Sequence, residues 1–140
     1  MKRYNWTQFD EMQPHPEGEW VHIDDLKAAP LRVGATKECE TYWARIFIAG
    51  PIEVAKQLLR EECMREGLCV TIAPTHYVYT GGEESGYVVE LNNYPRFPWT
   101  FAQIEGRAYL IVNLLLEKTF QKSAMVQFPH RTAWFTTVPE

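Results

Sequence analysis

From Thr41 to Ala49 the residues Tyr42, Ala44, Ile46 and Ile48 alternate with Trp43, Arg45, Phe47 and Ala49, the period-two signature of a strand with two usable faces. Gly50-Pro51 ends it, and Pro51 suits the first turn of a helix. Val54, Ala55, Leu58, Leu59, Glu62 and Cys63 then recur at helical spacing, with charges on the other side and Gly67 as the natural C-terminal cap. Leu68 to Thr80 reads as a second strand, Gly81-Gly82-Glu83-Glu84-Ser85 as a turn and Gly86 to Leu91 as the returning strand. Asn92 to Pro98 is a rigid connection. Thr100 with Gln103 forms a capping box that opens a long helix to about Lys122, and Met125 to Val138 closes as a final strand.

This order, β-α-β-β-α-β, predicts an α+β domain of ferredoxin-like type, with an antiparallel sheet in the order 4-1-3-2 and both helices on one face. Pro74 and Pro129 fall inside the second and fourth strands. Proline is tolerated in strands chiefly at sheet edges, and those two strands are the edges in that order. The other sheet face would carry Trp43, Phe47, Tyr77, Tyr79 and Trp134, read as an interface. The long helix is also apolar around more than one stripe, with Ile104, Ala108, Ile111, Val112, Leu114, Leu115 and Leu116. Apolar surface of this extent rarely stays bare, so a homodimer or a covering N-terminal arm is expected.

The first part of the chain has a different texture. Residues 1–39 read as an extension and residues 40–140 as the domain. Gln13 to Glu19 is polar and turn-rich, Trp20-Val21-His22-Ile23 suits a short strand, and Asp24 to Ala29 offers one capped helical turn before Pro30. The extension is expected to pack on the domain or on a second copy.

A chain of 140 residues with 46% hydrophobic and 14% aromatic content can bury one sizeable core. Its longest apolar run, Ala108 to Leu116, is interrupted by Asn113 and too short to cross a bilayer, and the N-terminus lacks a signal-peptide core. The expectation is a cytoplasmic protein with no membrane partner. Net charge of −4 offers no basic footprint for a phosphate backbone, which argues against nucleic acid. Cys39, Cys63 and Cys69 form no CxxC pair and have no histidine at ligand spacing, so neither a disulfide framework nor a metal site is expected. They read as free, mostly buried thiols, and no cofactor is expected.

Candidate chemistry is sparse. Thr80, Gly81, Gly82, Glu83 and Glu84 form a glycine-rich loop, but two glutamates would repel a phosphate and a hairpin turn is the simpler reading. His76 with Glu83 and Glu84 makes one candidate cluster, of the kind that could meet a divalent metal or serve a small-molecule or nucleotide-handling enzyme. His130 with Thr132 makes another, of the His-x-Thr form used by two-histidine phosphoesterases, but without a second copy of that motif. Asn93, Tyr94 and Arg96 form the polar group best placed to face a partner, because the prolines around them hold the connection extended. No cysteine is placed like an activated thiolate. Arg45-Ile46-Phe47-Ile48-Ala49-Gly50 looks like the first motif strand of RNA-recognition domains, with Gly86 to Leu91 where their second motif would lie. Phe47 and Tyr87 are then the only candidates for stacking on a base.

Ile46 to Gly50, Cys63 to Thr71, Tyr79 to Glu84 and Asn93 to Pro98 together resemble a group of short phage and prophage proteins with no established activity. The resemblance spans about residues 41–98, implies a bacterial or phage setting and carries over no catalytic residue. The reading that follows is a non-enzymatic binding or accessory protein, self-associating as a homodimer and able to take a protein partner. A small-molecule or nucleotide-handling enzyme that uses His76, Glu83 and Glu84, or His130 and Thr132, is the second reading, and Thr80 to Glu84, Asn93, Tyr94 and Arg96 are the candidate binding residues on any reading. Single-stranded RNA binding on the sheet is the third.

Overall fold

The computed structural model describes residues 36–137 and Gly34, together with the backbone of Met12–Pro14 and Trp20–His22. The chain divides into two compact units, Met1–Thr36 and Lys37–Glu140. In the first, β1 (Met12–Pro14) and β2 (Trp20–His22) pair antiparallel, with Gln13 opposite Val21. The helical turn expected at Asp24–Ala29 lies outside the described residues.

The second unit runs β3 (Trp43–Ala49), α1 (Ile52–Glu66), β4 (Val70–Tyr79), β5 (Gly82–Asn92), α2 (Phe101–Lys118), β6 (Ser123–Gln127) and β7 (Thr132–Thr136). The local signals act where their chemistry predicts. Pro51 precedes the first turn of α1, and Gly67 ends that helix in the left-handed region at φ 65°, its N–H donating to the Cys63 carbonyl. Thr100 and Gln103 form a reciprocal capping box at the start of α2. The β4–β5 turn is tighter than expected. Thr80 and Gly81 alone connect the strands, with Gly81 at φ 91°, and Gly82 to Ser85 belong to β5.

The sheet corrects the expected fold class. It has five strands in the order β4-β5-β3-β6-β7, all neighbours antiparallel, instead of four strands in the ferredoxin-like order 4-1-3-2. The segment read as one closing strand is two, because the chain reverses over Phe128 to Arg131, where Phe128 N–H donates to the Arg131 carbonyl at 2.7 Å. Pro129, which has no N–H to give a ladder, stands in this reversal and not in an edge strand. β6 is therefore interior, and β7 is the edge.

The added strand also accounts for the second apolar stripe of α2. Phe101 and Tyr109 meet Phe128 edge-on at 5.8 and 5.9 Å between ring centres, and Tyr109 reaches Phe135 at 5.3 Å. Arg131 closes over them, bonded to Glu105 and to the Tyr109 hydroxyl. The first stripe, Ile104, Ala108, Ile111, Val112 and Leu115, is buried with Ala44, Ile46, Ile48, Tyr87, Val89 and Leu91 as one core. The second stripe of α2 is thus covered within the unit, whereas the sheet face that carries Tyr79 and Trp134 stays exposed. None of the helices among the described residues is long and apolar enough to cross a membrane.

Candidate functional site

Strand alternation sorts the sheet residues into two faces. Register places Ala44, Ile46 and Ile48 of β3 and Tyr87, Val89 and Leu91 of β5 under the helices. Trp43, Arg45, Phe47, Ala49, Tyr77, Tyr79, Glu84, Ser123, Met125 and Trp134 share the opposite, open face. One end of that face is closed by polar contacts. Arg45 lies 4.3 Å from the Trp43 ring centre and 3.4 Å from the Glu90 carboxylate.

The other end is hollow. β3 pairs with β5 only as far as Ala49 opposite Gly86, so the β4–β5 hairpin beyond that point projects past the sheet as a two-stranded ribbon. The ribbon, the end of β3, the α2–β6 connection and β7 enclose a cavity of about 570 Å³. Its aromatic lining is Phe47, Tyr77, Tyr79, Phe120 and Trp134, with Met125 beside them, and its polar groups are Glu84, Gln121, Lys122 and Ser123.

Tyr77 is fixed at the back of this space. Its hydroxyl donates to the Tyr87 carbonyl at 2.9 Å and its ring lies over Gly86, where only a missing side chain leaves room. Burial pushes the Tyr77 phenol above its ordinary range, backbone hydrogen bonding at Ile48 opposes this, and the nearby Glu84 carboxylate adds to the rise. Gly82 in the same way lets the Tyr79 ring lie across it, since a Cβ there would come within 3.0 Å. The mouth is open, with Tyr79 53%, Trp134 65% and Phe120 90% exposed.

Of the residues predicted from the sequence, Phe47, Tyr77, Tyr79, Trp134 and Glu84 come together here, while Trp43 stands apart against Arg45. The His76, Glu83, Glu84 cluster is split by strand alternation. His76 and Glu83 pair at 3.2 Å on the solvent side of the ribbon, whereas Glu84 faces the cavity. His130 packs against Phe101 at 5.1 Å between ring centres, and neither it nor Thr132 lines the cavity. Thr80 and Gly81 form the ribbon tip.

Asn93 proves structural. Its side-chain nitrogen donates to the Glu40 carbonyl at 2.8 Å and its oxygen accepts from Trp99 N–H at 2.6 Å, which seats the approach to α2. Tyr94 packs on Phe97 at 5.3 Å between ring centres, and Arg96 is exposed. Phe47 and Tyr87 lie on opposite faces and Tyr87 is fully buried, so the two cannot form one stacking platform for RNA. The thiols are less buried than expected: Cys39 and Cys63 are half-buried and Cys69 exposed. Burial raises the Cys63 thiol, the wrong direction for a nucleophile. Among the described residues no group of three or more His, Cys, Asp or Glu is placed to hold a metal.

The sequence pattern misses Phe120, Gln121, Lys122 and Ser123, because it extends α2 to about Lys122 and leaves Ser123 in the connection. The chain signal that marks them is weak: a helix whose closing residue is an aromatic where glycine is usual.

Neither a family model nor a curated protein matches the chain. Two solved structures do. A phage SAM lyase in complex with S-methyl-5'-thioadenosine is 16% identical, with a TM-score of 0.59 over 76% of this chain and 97% of that one. A phage SAM lyase in its apo state is 17% identical, with a TM-score of 0.55 over 71% of this chain and 91% of that one. At this identity the likeness establishes a shared fold.

Proposed function

We propose that the protein is a small-molecule enzyme of the lyase type that acts on S-adenosylmethionine or a close adenosyl sulfonium, bound in the cavity on the open sheet face. The carrying observation is that cavity: an aromatic-walled space lined by one acidic residue, Glu84, and one basic residue, Lys122, in a fold shared with a phage SAM lyase. Its volume of about 570 Å³ falls within the range of small-molecule sites. Aromatic faces attract a sulfonium as they attract other weakly hydrated cations. Glu84 and Lys122 carry the two signs of charge that match the ammonium and carboxylate of an amino-acid tail.

In a lyase reaction of this substrate a carbon–sulfur bond breaks and sulfur keeps both electrons, leaving a neutral thioether. The released carbon is satisfied by attack of the substrate's own carboxylate or by loss of a neighbouring proton, so no oxidant or water is consumed. On this reading Glu84 binds the cation, and the rings exclude water from the breaking bond. This replaces the accessory-protein expectation. The setting would be the cytoplasm of a phage-infected bacterium, in keeping with the phage origin of the two similar structures.

Chromatography of S-adenosylmethionine incubated with the protein should show S-methyl-5'-thioadenosine accumulating. Glu84→Gln should weaken binding about tenfold, whereas Glu83→Gln, on the solvent side of the ribbon, should change it less than about twofold. No thioadenosine release and no binding of either compound would overturn the reading. Binding without turnover would leave a nucleoside-binding protein and overturn the lyase.

A further inference from the structure

α1 and α2 end in the same kind of reversal but with different residues. At the end of α1 the left-handed position is Gly67, at φ 65°. At the end of α2, Thr119 N–H donates to the Leu115 carbonyl and Gln121 N–H to the Leu116 carbonyl, and between them Phe120 takes the left-handed position at φ 57°. Among the described residues it is the only one other than glycine with positive φ. Such a conformation strains a residue with a Cβ, which crowds the following carbonyl.

The ring recovers nothing in return, since Phe120 is 90% exposed. A bulky apolar side chain held in a strained backbone and left in water is stabilised only by something that packs on it when bound. Phe120 stands at the mouth of the cavity with Tyr79 and Trp134, and all three rings are more than half exposed. A flat heteroaromatic ring is the part of an adenosyl ligand that such a group accepts, because base–aromatic stacking needs a free face and little else.

We infer that Phe120 is the stacking residue for the adenine ring of the ligand, kept in the left-handed position to present its face at the cavity mouth. This rests on the reading of the cavity as an adenosyl site. Two properties are then separable: the backbone strain, which glycine or asparagine would relieve, and the ring, which tyrosine would preserve.

The test titrates wild type, Phe120→Gly, Phe120→Asn, Phe120→Leu and Phe120→Tyr with S-methyl-5'-thioadenosine, alongside thermal unfolding and mass in solution. Phe120→Gly and Phe120→Asn should melt roughly 2–6 °C higher yet bind about tenfold more weakly. Phe120→Leu should bind as weakly without the gain in melting temperature, and Phe120→Tyr should bind as wild type does. If wild type binds and the glycine and leucine variants bind within about twofold of it, the inference falls while the adenosyl site stands. If wild type does not bind, both fall. A variant that loses assembly mass but keeps its affinity would make Phe120 an assembly residue and overturn the inference.

Discussion

A methyl group added at Gly86 would lie 2.5 Å from the Tyr77 ring and 2.8 Å from the Ala49 Cα, and closer still to the Ile48 carbonyl oxygen. Two of these three are backbone atoms of the central strand and cannot move aside cheaply. Gly86→Ala is therefore expected to cost about 1–3 kcal/mol in urea unfolding. It should also weaken thioadenosine binding, because the ring it displaces forms the back of the cavity. A variant with unchanged stability would show that β3 and β5 separate more easily than their register implies. Neighbouring side chains diverge just as sharply: Glu83 and Glu84 are adjacent in the chain, yet strand alternation sends one to His76 in solvent and the other to the cavity. In the sequence pattern both fall in a turn and in one cluster with His76; the divergence appears only because β5 begins at Gly82 and alternates from there.

At the scale of elements, the β6–β7 hairpin does work that the sequence suggested a second subunit would do. Phe128, 2% exposed, joins the hairpin to α2 through Phe101 and Tyr109. Phe128→Ala should destabilise by about 3–5 kcal/mol, read by denaturant midpoint at constant slope. A loss below 1 kcal/mol would mean the hairpin is held by its own ladder. Both limits of α1 and the start of α2 were legible because they rest on local chemistry, at Pro51, Gly67 and the Thr100–Gln103 box, whereas the end of α2, which has no glycine, was not. The hairpin was not, since proline suits an edge strand and a reversal equally. Only what packs across α2 decides between them.

Over the whole molecule, stability should respond to alkaline pH through Tyr87. It is fully buried in the core, and burial pushes its phenol up to about 12, the neighbouring Thr119 hydroxyl opposing the rise. The folded phenol thus holds its proton where the unfolded one, near 10, has released it. Stability is complete below about pH 10 and falls by roughly 1.4 kcal/mol per pH unit until the folded phenol itself ionises. Tyr87→Phe should flatten that fall between about pH 10 and 12 in equilibrium unfolding, and an unchanged slope would exclude Tyr87 as its source. The alternation of Thr41 to Ala49, the helical spacing after Pro51 and the capping signals specified β3, α1 and the start of α2 from within a few residues, because hydrogen bonding and side-chain periodicity act over that range. The cavity brings together Phe47, Tyr77, Tyr79, Glu84, Phe120 to Met125 and Trp134. Strand order and register set those distances, and both depend on how apolar stripes far apart in the chain find cover in three dimensions.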